Sequence, residues 1–247
     1  MGGAVASVVF SADIVPGVRT AVSGRLGGVS QPPYDPLNLG LSIGDDSAAV
    51  TRNRELVARA CGLDAPQLVW MRQVHGSRAC YVRPGDAIVE ADAVFTDMPA
   101  VALGVLAADC APVLLVDPGT GIVGAAHSGR AGTELGVVPA LVTAMAEAGA
   151  QPARMHALVG PAICGGCYDV PAGLQARVAE AVPQARCRTR SGAPGLDIRA
   201  GISAQLAELG VGSVRHDRRC TAETGGLCSH RRDGQAGRFA ALIWRER

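Results

Sequence analysis

Two apolar runs, Val113–Asp117 and Ile122–His127, are separated only by Pro118, Gly119, Thr120 and Gly121. Short runs without polar alternation read as buried strands, and proline with glycine between them supplies a turn. So short a hairpin folds the chain back on itself, and Cys110, just before the first run, faces the same point as His127, which ends the second. His75 closes another apolar stretch, Leu68–Val74. Each of the three is followed by loop formers: Gly76, Ala111-Pro112 and Ser128-Gly129. Reactive groups suit such strand ends, where the backbone is rigid and the side chain meets a cleft. Two imidazoles and a thiol suit zinc, and three protein ligands leave a fourth position open, as in catalytic zinc sites. Without metal, Cys110 and His127 would equally make a nucleophile and its base, the imidazole lowering the thiol pKa. Both chemistries need the same two side chains in contact, and both stay open.

The rest of the pattern alternates strands and helices with no linker long or polar enough to divide it, so residues 1–247 read as a single α/β domain. Strand-like runs before the hairpin are Val5–Phe10, Arg19–Ser23, Leu68–Val74, Ser77–Val82, Ala91–Phe95 and Val101–Ala107. Met155–Val159, Val214–Asp217 and Phe239–Trp244 follow it. Helices are expected over Ser47–Cys61, capped by Asp45 or Asp46 and ended by Gly62, and over Val137–Ala148. Two more are expected over Pro171–Glu180 and Arg199–Leu209, while Pro32–Asn38 and Arg188–Gly195 read as loops.

All 23 basic residues are arginine, so a Walker-type phosphate loop and Schiff-base catalysis are excluded. The 22 acidic residues nearly cancel them, leaving a net charge of +1 with no basic stripe for nucleic acid. No apolar run approaches the ~18 residues of a membrane span. The opening MGGAVASVVFSADIV lacks a basic flank and is broken by Asp13, so a cytoplasmic location is expected. The eight cysteines then read as thiols, metal ligands or a nucleophile rather than disulfides.

Asp109, beside Cys110, either orients a histidine or caps the turn at Pro112. Cys164-Gly-Gly-Cys167 pairs poorly with Cys220 and Cys228 for a four-thiolate zinc site, and is expected to be a glycine-rich turn with free thiols. Arg231, Arg232 and Arg238, in a glycine-bearing segment, suit a bidentate grip on phosphate or carboxylate, against the plainer reading of a solvated loop. Ser23-Gly24-Arg25 with Gly27-Gly28 has phosphate-loop composition but opens no helix.

Taken in order, SGRLGGVSQPPYDPLNLG, MRQVHG, EADAVFTD, VLAADCAPVLLVD, GAAHSGRAG, GPAICGGCYDV and SHRRDGQAGR resemble the laccase-domain (YfiH-type) family of purine nucleoside phosphorylases. That family is also described as polyphenol oxidases and as peptidoglycan editing factors. The matching segments run from about Ser23 to Arg238, nearly the whole chain. The resemblance implies a layered α-β-β-α sandwich with mixed sheets. It implies that His75, Cys110 and His127 bind a metal, generally zinc, with copper as a substitute. It further implies phosphorolysis of adenosine, inosine, guanosine and methylthioadenosine, with adenosine deamination besides, so that nucleosides and phosphate are the partners.

On that reading Cys110, His127 and Asp109 are the catalytic candidates, and Arg25, Asn38 and Arg231 the substrate-binding ones. Deamination suits an open zinc position, with Asp109, Glu90 or Asp92 shuttling the proton. In phosphorolysis Arg25 and Arg231 would hold the phosphate. One stretch departs from the family: where it reads His-Ala-Gly-Trp-Arg-Gly, this chain has His127-Ser-Gly-Arg130-Ala131-Gly132. A multicopper oxidase needs many histidines, often as His-x-His pairs, and this chain has five with no such pair. The readings from other classes are a cysteine hydrolase or amidase of peptidoglycan precursors, with Cys110 as nucleophile and His127 as base, and a non-catalytic metal- or nucleotide-binding protein.

Overall fold

The hairpin forms as expected in the computed structural model, which describes residues 8–247. Strand β7 (Ala111–Asp117) pairs antiparallel with β8 (Ile122–Ser128), from Ala111 opposite Ser128 to Asp117 opposite Ile122. Gly121, at φ +73°, takes the left-handed turn position that disfavours any residue with a Cβ. Both strands are buried from end to end, because they lie in the middle of a six-stranded mixed sheet. Its order is β12 (Ser213–His216), β9 (His156–Val159), β7, β8, β5 (Ala93–Thr96) and β4 (Ala79–Tyr81).

A second sheet runs β1 (Val8–Val15), β2 (Val18–Ser23), β13 (Phe239–Arg245), β6 (Ala102–Ala107) and β3 (Leu68–Trp70). It is antiparallel except where β3 joins β6. The sheets face each other through Leu103, Val105, Leu114, Val116, Phe239 and Ile243. Each such side chain contributes about 1.5–3 kcal/mol on leaving water.

Helices cover both outer faces. On the six-stranded sheet lie α3 (Val137–Glu147), α4 (Ala172–Ala181) and α5 (Ile198–Glu208), through Leu141, Met145, Val178, Ile202 and Leu206. On the five-stranded sheet lies α1 (Ser47–Ala60), whose Val57 packs with Leu63, Leu242 and Trp244. The layers are therefore α-β-β-α with mixed sheets. Two short helices, α2 (Arg130–Glu134) and α6 (His230–Asp233), follow the strand ends near the site. A two-stranded ribbon, β10 (Arg186–Arg188) and β11 (Pro194–Leu196), occupies part of the expected 188–195 loop.

Other departures have local causes. The first strand continues past Asp13 to Val15 because Asp13 pairs with Arg19 across the strand, 3.0 Å apart. The first part of the expected 5–10 run, residues 5–7, lies outside the described residues. The 68–74 run stops as a strand at Trp70, and Met71–Gly76 becomes a loop folded over Asp92. Asp46, not Asp45, caps α1 by accepting from the Ala48 N–H at 3.0 Å, while Asp45 accepts from Asn38.

Asp117 closes the hairpin. Its buried carboxylate accepts from Gly119 N, Gln151 N and the Arg154 guanidinium, each bond as short as 2.8 Å. Burial alone would raise its pKa, but these donors prevail and hold it at about 2. A carboxylate held low gives stability that is complete above its unfolded pKa of about 4 and is lost as pH falls towards 2. Asp117→Asn is expected to cost about 2 kcal/mol at pH 7, the scale of lost charged hydrogen bonds. Urea unfolding should show the gap from the unsubstituted protein closing between pH 5 and 2; a gap independent of pH refutes the assignment.

Candidate metal centre

His75, Cys110 and His127 come together at one end of the two sheets, with donor atoms all within 4.8 Å of one another. His127 stands one residue before the end of β8, opposite Pro112. Cys110 follows the turn out of β6, where Asp109 sits at φ +93°. His75 is carried on the Met71–Gly76 loop at φ +61°, a left-handed conformation held from outside the loop. The two imidazoles meet edge to face, 4.9 Å between centroids.

What holds them is Asp92, just before β5. Its buried Oδ1 lies 2.9 Å from His127 Nδ1 and accepts from the His75 N–H at 3.0 Å. Its Oδ2 accepts from Val74 N at 3.0 Å and Gly76 N at 2.7 Å. One carboxylate thus shapes the His75 loop and directs His127 Nε2 away from itself, towards Cys110 and His75. Gly129 leaves the room, since a Cβ there would stand 2.5 Å from Cys110 Sγ.

Burial opposes ionisation of Cys110, but hydrogen bonds to His127 and His75 outweigh it and bring the thiol down to about 6. His127 moves the other way: burial disfavours its charge, yet Asp92 and Cys110 raise it to about 9. Each favours the charged form of the other, and a metal ion would take the place of any proton on the imidazole. Around zinc, imidazole nitrogens at about 2.0 Å and a thiolate at about 2.3 Å stand roughly 3.3–3.8 Å apart. Donors already within 4.8 Å reach that spacing by side-chain adjustment alone, so this set fits one zinc ion with a fourth position open.

The trio lies on the wall of a cavity of about 620 Å³. Arg54, Arg72, Arg130, Arg231 and Arg238 also line it, and Asp109 is the single carboxylate of its wall among the described residues. Trp70 and Tyr168 supply aromatic faces, with Arg54 over Trp70 at 4.5 Å and Arg231 over Tyr168 at 5.2 Å. Arg231 is further pinned by Asp169 at 2.7 Å. Arg130, at the position where the chain departs from the family pattern, opens α2 and reaches this wall. His230, at the start of α6, lines it too; as an isolated histidine beside two arginines it gave no pattern to find.

Of the other candidates, Asp109 shares this wall, and Arg25, Asn38 and Glu90 lie off it. Arg25 is outside the lining, held in ion pairs with Asp35 and Asp233. Asn38 is fully buried, and its amide ties Gly40, Asp45 and Arg238 N together, as a brace for the Gly40–Ile43 part of the wall. Asp109 neither orients a histidine nor caps Pro112. It accepts from Thr221 Oγ1 at 2.6 Å, Ser229 Oγ at 2.7 Å and Arg231 N at 2.7 Å. Glu90 pairs with Arg72 at the exposed surface.

The sequence pattern of the family described as multi-copper polyphenol oxidoreductase laccase matches residues 19–246. The chain belongs to that family. A Streptomyces coelicolor relative named purine nucleoside phosphorylase is 49% identical over 235 residues, covering 94% of this chain and 97% of the relative. One of the same name in Mycobacterium tuberculosis is 47% identical over 231 residues, covering 93% and 92%. A crystal structure of the Neisseria meningitidis protein NMB0706 superposes with a TM-score of 0.87 at 35% identity, covering 96% of this chain and 99% of that one. The family's description speaks of several coppers, but this donor set suffices for one ion. Of the remaining histidines, His156 bonds Ser213 Oγ at 2.7 Å and His216 bonds Ser203 Oγ at 3.2 Å.

Asp92→Ala should weaken zinc binding about 10- to 100-fold, the usual cost of removing a ligand's orienting partner. Competition against a chelating dye measures this, and unchanged affinity would show that the trio is positioned without Asp92.

Proposed function

We propose that this chain is a zinc-dependent purine nucleoside phosphorylase acting on adenosine, inosine, guanosine and methylthioadenosine, with adenosine deamination as a second activity. One observation carries this: a single cavity presents five arginines, two aromatic faces and the His75–Cys110–His127 donors together. The name borne by the relatives supports the same reading.

Phosphate meets guanidinium groups that bind its oxygens bidentately, with Arg231 pre-aimed by Asp169 and Tyr168. The purine stacks on Trp70 or Tyr168, whose rings each carry an arginine. A phosphate oxygen then attacks C1′ of the ribose, and the C1′–N9 bond breaks with its electron pair passing to the purine. His230, on the same cavity wall, would give that purine a proton. Zinc held by His75, Cys110 and His127 would supply Lewis-acid polarisation at the trio. For deamination Asp109 would be the shuttle. It lines the cavity and, among the described residues, its Oδ2 accepts only from Arg231 N, whereas both oxygens of Asp92 are doubly engaged and Glu90 lies off the cavity.

The cysteine-hydrolase reading draws on the lowered Cys110 thiol beside His127. It leaves His75 without a part, since a nucleophile–base pair needs one imidazole. We further propose that the enzyme works in the cytoplasm; no helix among the described residues is long and apolar enough to cross a membrane.

Purified protein, with and without chelation, is incubated with adenosine and phosphate, and the products are separated by chromatography. Adenine and inosine are expected only with metal present and are lost in Cys110→Ala. Turnover that survives chelation refutes the zinc dependence, and no turnover in either sample refutes the phosphorylase and moves the assignment to the hydrolase of peptidoglycan precursors. Arg231→Ala is expected to raise the KM for phosphate about 10- to 100-fold, the worth of one charged hydrogen-bonding group. Arg25→Ala, outside the cavity, should leave that KM unchanged; the reverse order would misplace the phosphate.

A further inference from the structure

Away from the trio, Cys164, Cys167, Cys220 and Glu223 bring four donor atoms within 4.8 Å of one another. The CxxC turn has free thiols, as expected, but they do not stand alone. Cys228, weighed with Cys220 on sequence grounds, is buried elsewhere beside Asp35, and Glu223 stands where a fourth cysteine was sought.

The site is two like turns set face to face. In each, donors three residues apart flank a tight turn, closed by Cys167 N to Cys164 O at 2.9 Å and by Glu223 N to Cys220 O at 3.1 Å. Cys164 N donates to Cys220 Sγ at 3.4 Å, and a β-bridge between Ala162 and Cys220 holds the turns together. A backbone N–H given to one of several converging sulfurs belongs to the supporting shell of a thiolate-held metal. Three thiolates and one carboxylate also leave an excess of negative charge around a divalent ion. Arg190 lies beside that charge, paired with Glu223 and 3.1 Å from Cys167 Sγ. Its side chain is largely exposed and free to move aside for an ion.

We propose that Cys164, Cys167, Cys220 and Glu223 form a second, structural zinc site that staples the 162–169 segment to the 220–223 turn. Four protein donors, mostly soft sulfur, close a tetrahedral shell and leave no position for substrate. What the staple secures is the cavity wall. Tyr168 and Asp169, the residues straight after Cys167, hold Arg231, and Thr221, straight after Cys220, holds Asp109.

The test reads metal rather than turnover, so it stands or falls apart from the phosphorylase reading. The whole protein is loaded with zinc, or with cobalt(II) in its place, and the bound metal is counted by mass spectrometry. His127→Ala, which disables the first centre, should keep one tightly bound ion and an intense thiolate-to-cobalt absorption band. Cys164→Ser in that background should abolish both. Glu223→Gln, a milder change, should weaken the remaining ion's binding at least tenfold with the circular dichroism spectrum unchanged. The proposal is overturned if His127→Ala protein holds no ion, or if its ion survives Cys164→Ser. It is equally overturned if Cys164 and Cys167 are recovered as a disulfide, two hydrogens lighter, in protein purified with zinc.

Discussion

A single buried carboxylate sets the geometry on which the candidate centre depends. Asp92 receives three backbone N–H groups of the Val74–Gly76 loop and the His127 imidazole. Burying an isolated carboxylate is costly, and four hydrogen bonds from one loop and one strand end offset the cost only when both are correctly placed. The left-handed His75, the end of β8 and the trio's donor separations are thus settled by one group. Asp109 does the corresponding work on the other side of Cys110, joining its turn to Thr221, Ser229 and Arg231. Cys110 lies between these two carboxylates, Asp92 with four hydrogen bonds and Asp109 with three, and its sulfur faces the histidines.

The parts visible in the amino-acid order were those set by neighbours in the chain. The hairpin, its turn and the meeting of Cys110 with His127 follow from 18 consecutive positions, and the layered fold from the resemblance built around them. Asp92 left a trace too, as one acid inside the apolar run Ala91–Phe95, but its role as anchor depends on a loop met only in three dimensions. Arg25 looked like a phosphate ligand by residue type; its partners Asp35 and Asp233 cancel it, and Asp233 is 208 positions away. Glu223 was passed over because a carboxylate in a cysteine's place breaks the expected pattern without breaking the chemistry.

The two strongest clusters of donors are joined by short routes. From Cys220 the chain passes to Thr221, thence by hydrogen bond to Asp109 and by a peptide bond to Cys110. From Cys167 it passes through Tyr168 and Asp169 to Arg231. The cavity's floor and its anion-holding side are therefore supported from the same pair of turns. The sheets supply rigidity behind them, and Tyr168, Trp70 and Met71 of the cavity wall pack directly on that apolar core.

The arginine-only composition has a consequence for how the cavity behaves across solution conditions. A guanidinium stays charged throughout the physiological range, and even Arg54, brought to about 10 by burial, is a full cation at neutral pH. The positive wall has no amine to lose a proton or to be neutralised by acylation. Acid and alkali can act on the sulfur and the imidazoles, but the arginines' share of the field in this cavity is constant.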